Sequence, residues 1–250
     1  MSAEITVITG PAVALAKRFG KAVVERWTRY RAEQFFQAFV EALGFETMSA
    51  SESKEVDERL AAMLEDETKS QVLFDAYRRV CFSTSKRLGP QIVGLLTGRL
   101  VLEGRMADPT EESVFAAAES LSDGDLLDFM KSYHEYRGKA QGVTDFQAEH
   151  HMVGKSVVVR WYAESANPDG LSGSDLEIGP LDWDAALGRW AAKLRQTGLI
   201  TERVQQRFGR PWASRQALSS ASVVVTITFE PGCARLYELL ARSLGLGKSK

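Results

Sequence analysis

The sequence predicts a mainly helical protein, with an N-terminal helical domain followed by a C-terminal α+β module. Three observations carry that expectation. Apolar residues recur at three-to-four spacing through most of residues 1–137, the mark of helices with one buried face. The two strongly β-branched runs, SVVVRWY at 156–162 and ASVVVTITF at 221–229, both fall in the second half. Finally, KLRQTGLI at 193–200 stops a helical pattern on a glycine and resumes at once on two bulky apolar residues, as when a helix is handed into a hairpin.

Taken in order, EITVIT at 4–9 alternates weakly and reads as a short strand. Gly10-Pro11 then opens a long helix whose apolar face carries Ala12, Ala16, Phe19, Val23, Trp27, Tyr30, Phe35, Phe36, Phe39, Val40 and Leu43, until Gly44 stops it. A Ser- and Glu-rich loop precedes a helix over 54–64 and another over 67–86, the second burying Val72, Leu73, Ala76, Tyr77 and Val80. Gly89-Pro90 separates that helix from IVGLLTGRLVL, which is apolar on most sides and therefore expected to be central. Gly94 and Gly98 on it would let a second helix approach closely, in a tight internal crossing rather than a dimer contact. Asp108-Pro109 with Glu111 opens the helix 111–120, and Ser122 with Asp125 opens the helix 123–137 as a capping box.

After Arg137 the chain is expected to change character. Residues 138–155 are mixed and carry no clear element, 156–162 form a strand, and 163–181 are loop, rich in Asn-Pro, Asp-Gly and Gly-Pro. A helix over 182–197 would bury Trp183, Leu187, Trp190 and Leu194. Gly198 ends it, 199–207 form a strand, 208–220 a linker, and 221–229 a strand with Val223, Val225, Ile227 and Phe229 inward. Pro231 opens a last helix burying Cys233, Leu236, Leu240 and Leu244. The domain boundaries follow: a helical domain over 1–137, a strand and acidic loop insertion over 138–181, and the final module over 182–250.

Leu194, Gly198, Leu199, Ile200, Thr228, Gly232, Leu236 and Leu240 stand in the pattern L-x-x-x-G-L-I, hairpin, T-x-x-G-x-x-L-x-x-x-L. In this the last 60 or so residues resemble the second half of winged-helix domains of the MarR and PadR type. A winged helix has two further helices before its recognition helix. Either the helices 111–120 and 123–137 fill that role across a long insertion, or the module is a winged-helix-like cap on a helical domain. Leu121-Ser122-Asp123 followed by Asp125-Leu126-Leu127, with the Gly-Leu-Ile step and the terminal helix, also resembles the Abi-alpha class of bacterial abortive-infection proteins. That resemblance implies a role in phage defence and supplies no catalytic residues.

Composition narrows the function classes. The net charge of −2 gives no global attraction to nucleic acid or anionic lipid. Two distant cysteines, Cys81 and Cys233, form no disulfide framework and suit a reducing cytoplasm. The N-terminus lacks a secretory pattern, and the most apolar run, 92–102, is too short to span a bilayer. ITVITGPAVALAK lacks the second glycine of a phosphate loop.

The leading reading is therefore a non-enzymatic adaptor or regulator acting through a protein partner or as a homo-oligomer, without cofactor or metal. The second is a DNA-binding regulator. Arg203, Arg207, Arg210 and Arg215 face one acid in 199–221, with Phe208 and Trp212 interleaved, and Arg189 and Lys193 on the preceding helix could add contacts. Against it, 163–184 hold six acids and no base. The third reading is a metal-dependent enzyme built on His134, His150 and His151, with Glu135, Asp145 and Glu149 nearby; adjacent histidines seldom share a metal. A basic patch over 11–32 could touch an anionic membrane, but the acids of 41–67 are its simpler partners.

Overall fold

The computed structural model describes residues 28–44, 65–140, 148–164, 187–207 and 222–245. Helix α1 covers 28–42, and Gly44 follows at φ 80°. Then come α2 (Glu67–Phe82), α3 (Leu88–Glu103), α4 (Pro109–Ser120) and α5 (Asp123–Lys139). The hairpin β1 (Ala148–Val153) and β2 (Ser156–Glu164) precedes α6 (Arg189–Gln196), and β3 (Ile200–Arg207), β4 (Ser222–Phe229) and α7 (Pro231–Ser243) complete the order. The protein is mainly α, with one small antiparallel sheet toward its C-terminal end. The expected strand at 4–9, the helix 54–64, and most of the acidic loop 163–181 and of the segments 11–32 and 41–67 expected to pair lie outside the described residues; in the described part, Arg31 donates to the Cys81 carbonyl and Glu41 pairs with Arg242, and residues 163 and 164 belong to β2.

Helix α3 is central, as its composition implies: twelve of its sixteen residues are buried. It touches α2, α4, α5 and α7. Its glycines set the closest approach. A Cβ on Gly94 would lie 2.4 Å from the Phe35 carbonyl oxygen, and one on Gly98 would lie 2.5 Å from the Ala42 Cβ. These residues bring α1 and α3 nearly backbone to backbone, the internal crossing that the spacing predicts. Gly89 does the same toward α4, where its Cβ would meet the Ala118 carbonyl oxygen at 2.3 Å.

Helices α2 and α3 differ in their boundaries from the sequence reading. Helix α2 ends at Phe82 instead of running to residue 86, because Ser83 and Thr84 turn their hydrogen bonds to α4: the Ser83 hydroxyl donates to the Ala118 carbonyl and the Thr84 N–H to that of Glu119. Gly89-Pro90 does not precede α3 but lies in its first turn, where a missing proline N–H costs little. The orphan donors there are met by a carboxylate from elsewhere. Asp123 Oδ1 accepts from Leu88 N at 2.9 Å and Arg87 N at 3.3 Å, and also from the Ser85 hydroxyl. Its Oδ2 accepts from Lys86 N at 3.3 Å. Burial raises the Asp123 pKa, but these donors outweigh it and hold the carboxyl below its usual range.

The two capping boxes form as expected, Asp108 with Glu111 and Ser122 with Asp125. Glu111 is buried and takes a bidentate pair from Arg105, at 2.6 and 2.8 Å, which lowers its pKa.

The sheet order is β1-β2-β4-β3, antiparallel throughout. β3 and β4 pair from Ile200↔Phe229 to Arg207↔Ser222, so the helix before Gly198 does feed a two-stranded ribbon. Gly198 sits at φ 76°, with Leu199 N donating to the Leu194 carbonyl and Gly198 N to that of Arg195. This is a Schellman ending, and the left-handed residue it needs is why glycine stands there. Val225, Ile227 and Phe229 are buried, as their alternation requires.

Strand β1 falls in the stretch that the sequence leaves undefined. Glu149-His150-His151 has little β-propensity of its own; the strand is held by pairing with Val157–Trp161 and turned by Gly154 at φ 60°. Helix α6 is also shorter than the expected 182–197. Gly188, at φ 98°, sits before its first residue and cannot continue a helix backward. Leu187, Trp190 and Leu194 are buried, while Trp183 lies outside the described residues.

One apolar cluster joins the helices to the sheet. Phe129 and Tyr133 of α5 meet Trp190 and Phe229, with ring centroids 5.5 and 5.9 Å apart respectively. Tyr136 meets Phe229 at 5.5 Å. Burial pushes the Tyr133 phenol up to about 12. Gly232 lets α7 pack on Leu199, whose Cδ2 would be 2.4 Å from an added Cβ. Buried apolar residues from all three expected segments belong to this cluster, among them Leu96, Val159 and Leu236.

Candidate functional site

The expected nucleic-acid residues are spread over two elements. Arg189 is exposed at the start of α6. Lys193, one turn later, is engaged: its ammonium lies 2.6 Å from Asp125 Oδ2 in the first turn of α5. Burial raises the Asp125 pKa, but that ammonium and the Ser122 donors outweigh it, so the carboxylate stays ionised as a partner. Lys193 therefore ties α6 to α5. Arg203 is exposed on β3, opposite Thr226. Its neighbour Glu202 faces inward and pairs with Arg195 at 3.4 Å. Arg207 closes β3 opposite Ser222, in the same alternate register as Arg203 and about 13 Å further along the strand. Arg210 and Arg215, with Phe208 and Trp212, lie outside the described residues.

The histidines are kept apart by their elements. His134 on α5 points to α7, its Nδ1 3.1 Å from the Tyr237 hydroxyl. His150 on β1 stacks its ring on Tyr136, with centroids 5.7 Å apart. His151 follows in β1, in register opposite Val158. Glu135 pairs with Lys139 at 2.9 Å and also feels the charge of His150, and Asp145 lies outside the described residues. Among the described residues, no three of His, Cys, Asp and Glu come together as a metal-ligand group. Cys233 is buried and donates its thiol proton to the Leu199 carbonyl at 3.2 Å; burial pushes its pKa well up, away from thiolate.

A concave surface lies elsewhere, between α1 and α2. Phe35, Phe36, Phe39, Ser70, Leu73, Phe74 and Tyr77 line a cavity of about 410 Å³. Its floor is fixed by Phe35 and Phe39, which are fully buried and stacked 6.0 Å apart. Its rim is open: Phe36 is 48% exposed, Phe74 68% and Tyr77 38%. Phe36 meets Phe35 edge to face at 5.0 Å and Tyr77 at 6.3 Å, so the exposed rings rest on the buried ones. The walls are held together beyond the rings, since the Arg31 guanidinium donates to the Cys81 carbonyl at 3.2 Å.

The sequence pattern puts Leu73 and Tyr77 in the core with Val72, Ala76 and Val80. The structure corrects this: Val72, Ala76 and Val80 are buried, whereas Leu73 is half-buried and Tyr77 opens to the cavity. The signal was present in the width of the stripe. Val72, Leu73, Phe74, Ala76, Tyr77 and Val80 cover more of the α2 circumference than one neighbouring helix can bury.

No helix among the described residues is long and apolar enough to cross a membrane. No protein-family model, no curated protein and no solved structure matches the chain.

Proposed function

We propose that the protein is a non-enzymatic cytoplasmic adaptor that works through protein contacts, and that the aromatic cavity between α1 and α2 is its contact site. The observation that carries this reading is the open ring pair, Phe36 and Phe74, standing beside one apolar cavity. Single exposed apolar residues are ordinary on a protein surface, but aromatic side chains grouped around a concavity mark sites where a partner inserts. The cavity runs between two helices, which suits a partner helix presenting apolar residues at one face. The setting in phage defence rests on the Abi-alpha resemblance of the 121–127 segment and the terminal helix.

The test is capture by the full chain, compared between the parent and Phe36→Ser/Phe74→Ser, with sedimentation equilibrium to detect self-association. We expect a specific partner or a dimer with the parent and its loss in the variant, with an unchanged circular dichroism spectrum. Equal capture and equal association state by a folded variant would overturn the reading.

A second reading, DNA contact by the C-terminal module, is favoured by the exposure of Arg189 and Arg203. It is weakened by the engagement of Lys193 with Asp125. If it holds, duplex binding should weaken steeply between 50 and 200 mM salt, in the manner of phosphate contacts, and Arg203→Gln should reduce the slope by about 1. A parent that shifts no duplex at low salt would remove it.

A further inference from the structure

The face that carries the aromatic cavity extends beyond it. Among the described residues the exposed aromatic side chains, Tyr30, Phe36, Phe74, Tyr77 and Phe82, all belong to α1 or α2. Along α2, Glu67, Gln71, Phe74 and Arg78 reach solvent, spaced by four, three and four residues. That spacing keeps them on one ridge, which runs most of the length of a 16-residue helix, about 24 Å. Ser70, Leu73 and Tyr77 flank the ridge on the side of the cavity. Across the cavity, α1 exposes Arg29, Glu33 and Phe36, spaced by four and three.

The extent of this face suits a protein interface. An aromatic side chain offers roughly 200 Å² for burial, so at their exposures Phe36, Phe74 and Tyr77 would bury about 300 Å². Each partner in a standard interface buries about 800 Å². Two helices side by side, each about 10 Å wide and about 24 Å long, are broad enough to supply the rest. Rings stand at the centre and charged residues toward the ends, the layering of an apolar interface core with a polar rim.

The order of charge along α2 selects the occupant. Glu67 lies in the first turn and Arg78 three turns later, so the ridge is acidic at one end and basic at the other. Arg78 is 61% exposed and stands 3.9 Å from Asp75, too far for a hydrogen bond, so its guanidinium keeps its donors for another acceptor. Two copies of α2 laid antiparallel set Glu67 of each opposite Arg78 of the other and Gln71 opposite Phe74, and bring the two Phe74 rings together about the axis. A parallel pair would set Glu67 against Glu67 and Arg78 against Arg78. A ridge that complements itself under a two-fold rotation is what a closed dimer requires. We propose that the aromatic cavity is covered by a second copy of this chain, in a two-fold dimer with antiparallel α2 helices and Glu67 of each copy paired with Arg78 of the other. The proposal rests on the reading of this cavity as a contact site and names its partner. Phe36, Phe74 and Tyr77 of both copies share one apolar centre, and the two flanking ion pairs fix its register.

The experiment is sedimentation equilibrium of the full chain at micromolar concentration. The samples are the parent, Glu67→Arg, Arg78→Glu and an equimolar mixture of these two variants, with circular dichroism as the check on folding. We expect a dimeric parent. Each variant alone should associate about tenfold more weakly or worse, because both ion pairs become repulsions. The mixture should restore the dimer, since one copy then carries two bases on its ridge and the other two acids, a rescue that a damaged fold would not produce. Phe36→Ser/Phe74→Ser, which touches neither charge, should be monomeric. A monomeric parent, parent-like association by a folded single variant, or a mixture no more associated than its components would each overturn the proposal. A monomeric parent that captures a different protein, and loses it in Phe36→Ser/Phe74→Ser, would overturn the dimer and leave the contact site standing. A dimer that Phe36→Ser/Phe74→Ser leaves intact would overturn both.

Discussion

Helix α1 meets two neighbours in different ways. Toward α3 it packs nearly backbone to backbone, over Gly94 and Gly98, and buries Phe35, Ala38 and Phe39. Toward α2 it leaves a cavity of about 410 Å³ with Phe36, Phe74 and Tyr77 open. One helix thus carries a face used entirely for stability and a face that stability does not complete. The difference lies in the partner's residues: glycines on α3 remove every obstacle to approach, whereas the bulky rings of Phe74 and Tyr77 on α2 hold the helices apart.

The strongest way to break the tight face is Gly94→Ala. Its methyl would sit 2.4 Å from the Phe35 carbonyl oxygen, a backbone atom that cannot swing away. We expect a loss of about 3 kcal/mol of unfolding free energy by urea titration, at the upper end for overpacking. A loss under about 1 kcal/mol would mean that α1 can slide on α3.

Next comes the start of α3, which depends on Asp123. Asp123→Ala leaves three N–H groups and the Ser85 hydroxyl without their acceptor, and should cost about 2 kcal/mol. The pH dependence follows from the same contacts. Asp123, Asp125 and Glu111 all have lowered pKa values in the folded protein. Their contribution is fully present above the unfolded carboxylate values, near pH 4, and is lost as pH falls through the folded-state values. Asp123→Ala should therefore flatten the acid side of the stability profile; an unchanged acid limb would show that folding does not lower the Asp123 pKa.

The smallest effect on stability is expected at the open face. Phe36→Ser/Phe74→Ser removes rings that are already about half exposed or more, so the pair should change stability by no more than about 1 kcal/mol. The same variant should abolish the partner contact. Stability and contact falling together would mean that the cavity is part of the core and that the contrast between the two faces of α1 does not exist.

Much of the helical scaffold was legible because its signals are local. Asp108-Pro109 with Glu111, Ser122 with Asp125, and Gly198 before Leu199 each involve groups within a few residues, and each forms as expected. The alternation of Val225, Ile227 and Phe229 was legible for the same reason. The candidate sites were less so. The histidines stand in suggestive proximity along the chain, but α5 and β1 carry His134 and His150 to different neighbours. Lys193 reads as a free cation until α5 brings Asp125 to it. Arg99 of α3 and Arg235 and Arg242 of α7 line one cavity although they stand well over a hundred positions apart, which no spacing along the chain reveals.

By itself, the sequence determined where most described helices begin, that Gly198 ends α6, and that α3 lies at the centre, since capping, left-handed glycine and overall apolarity act within a turn or along one element. Only the tertiary structure decided that α6 starts at Arg189, that β1 exists, and that the strands lie in the order β1-β2-β4-β3. It also decided that Asp123 caps a helix other than its own and that α1 and α2 part around a cavity. Those outcomes depend on which distant surfaces can approach and how closely, a competition of packing and hydrogen bonding among segments that pattern along the chain does not encode.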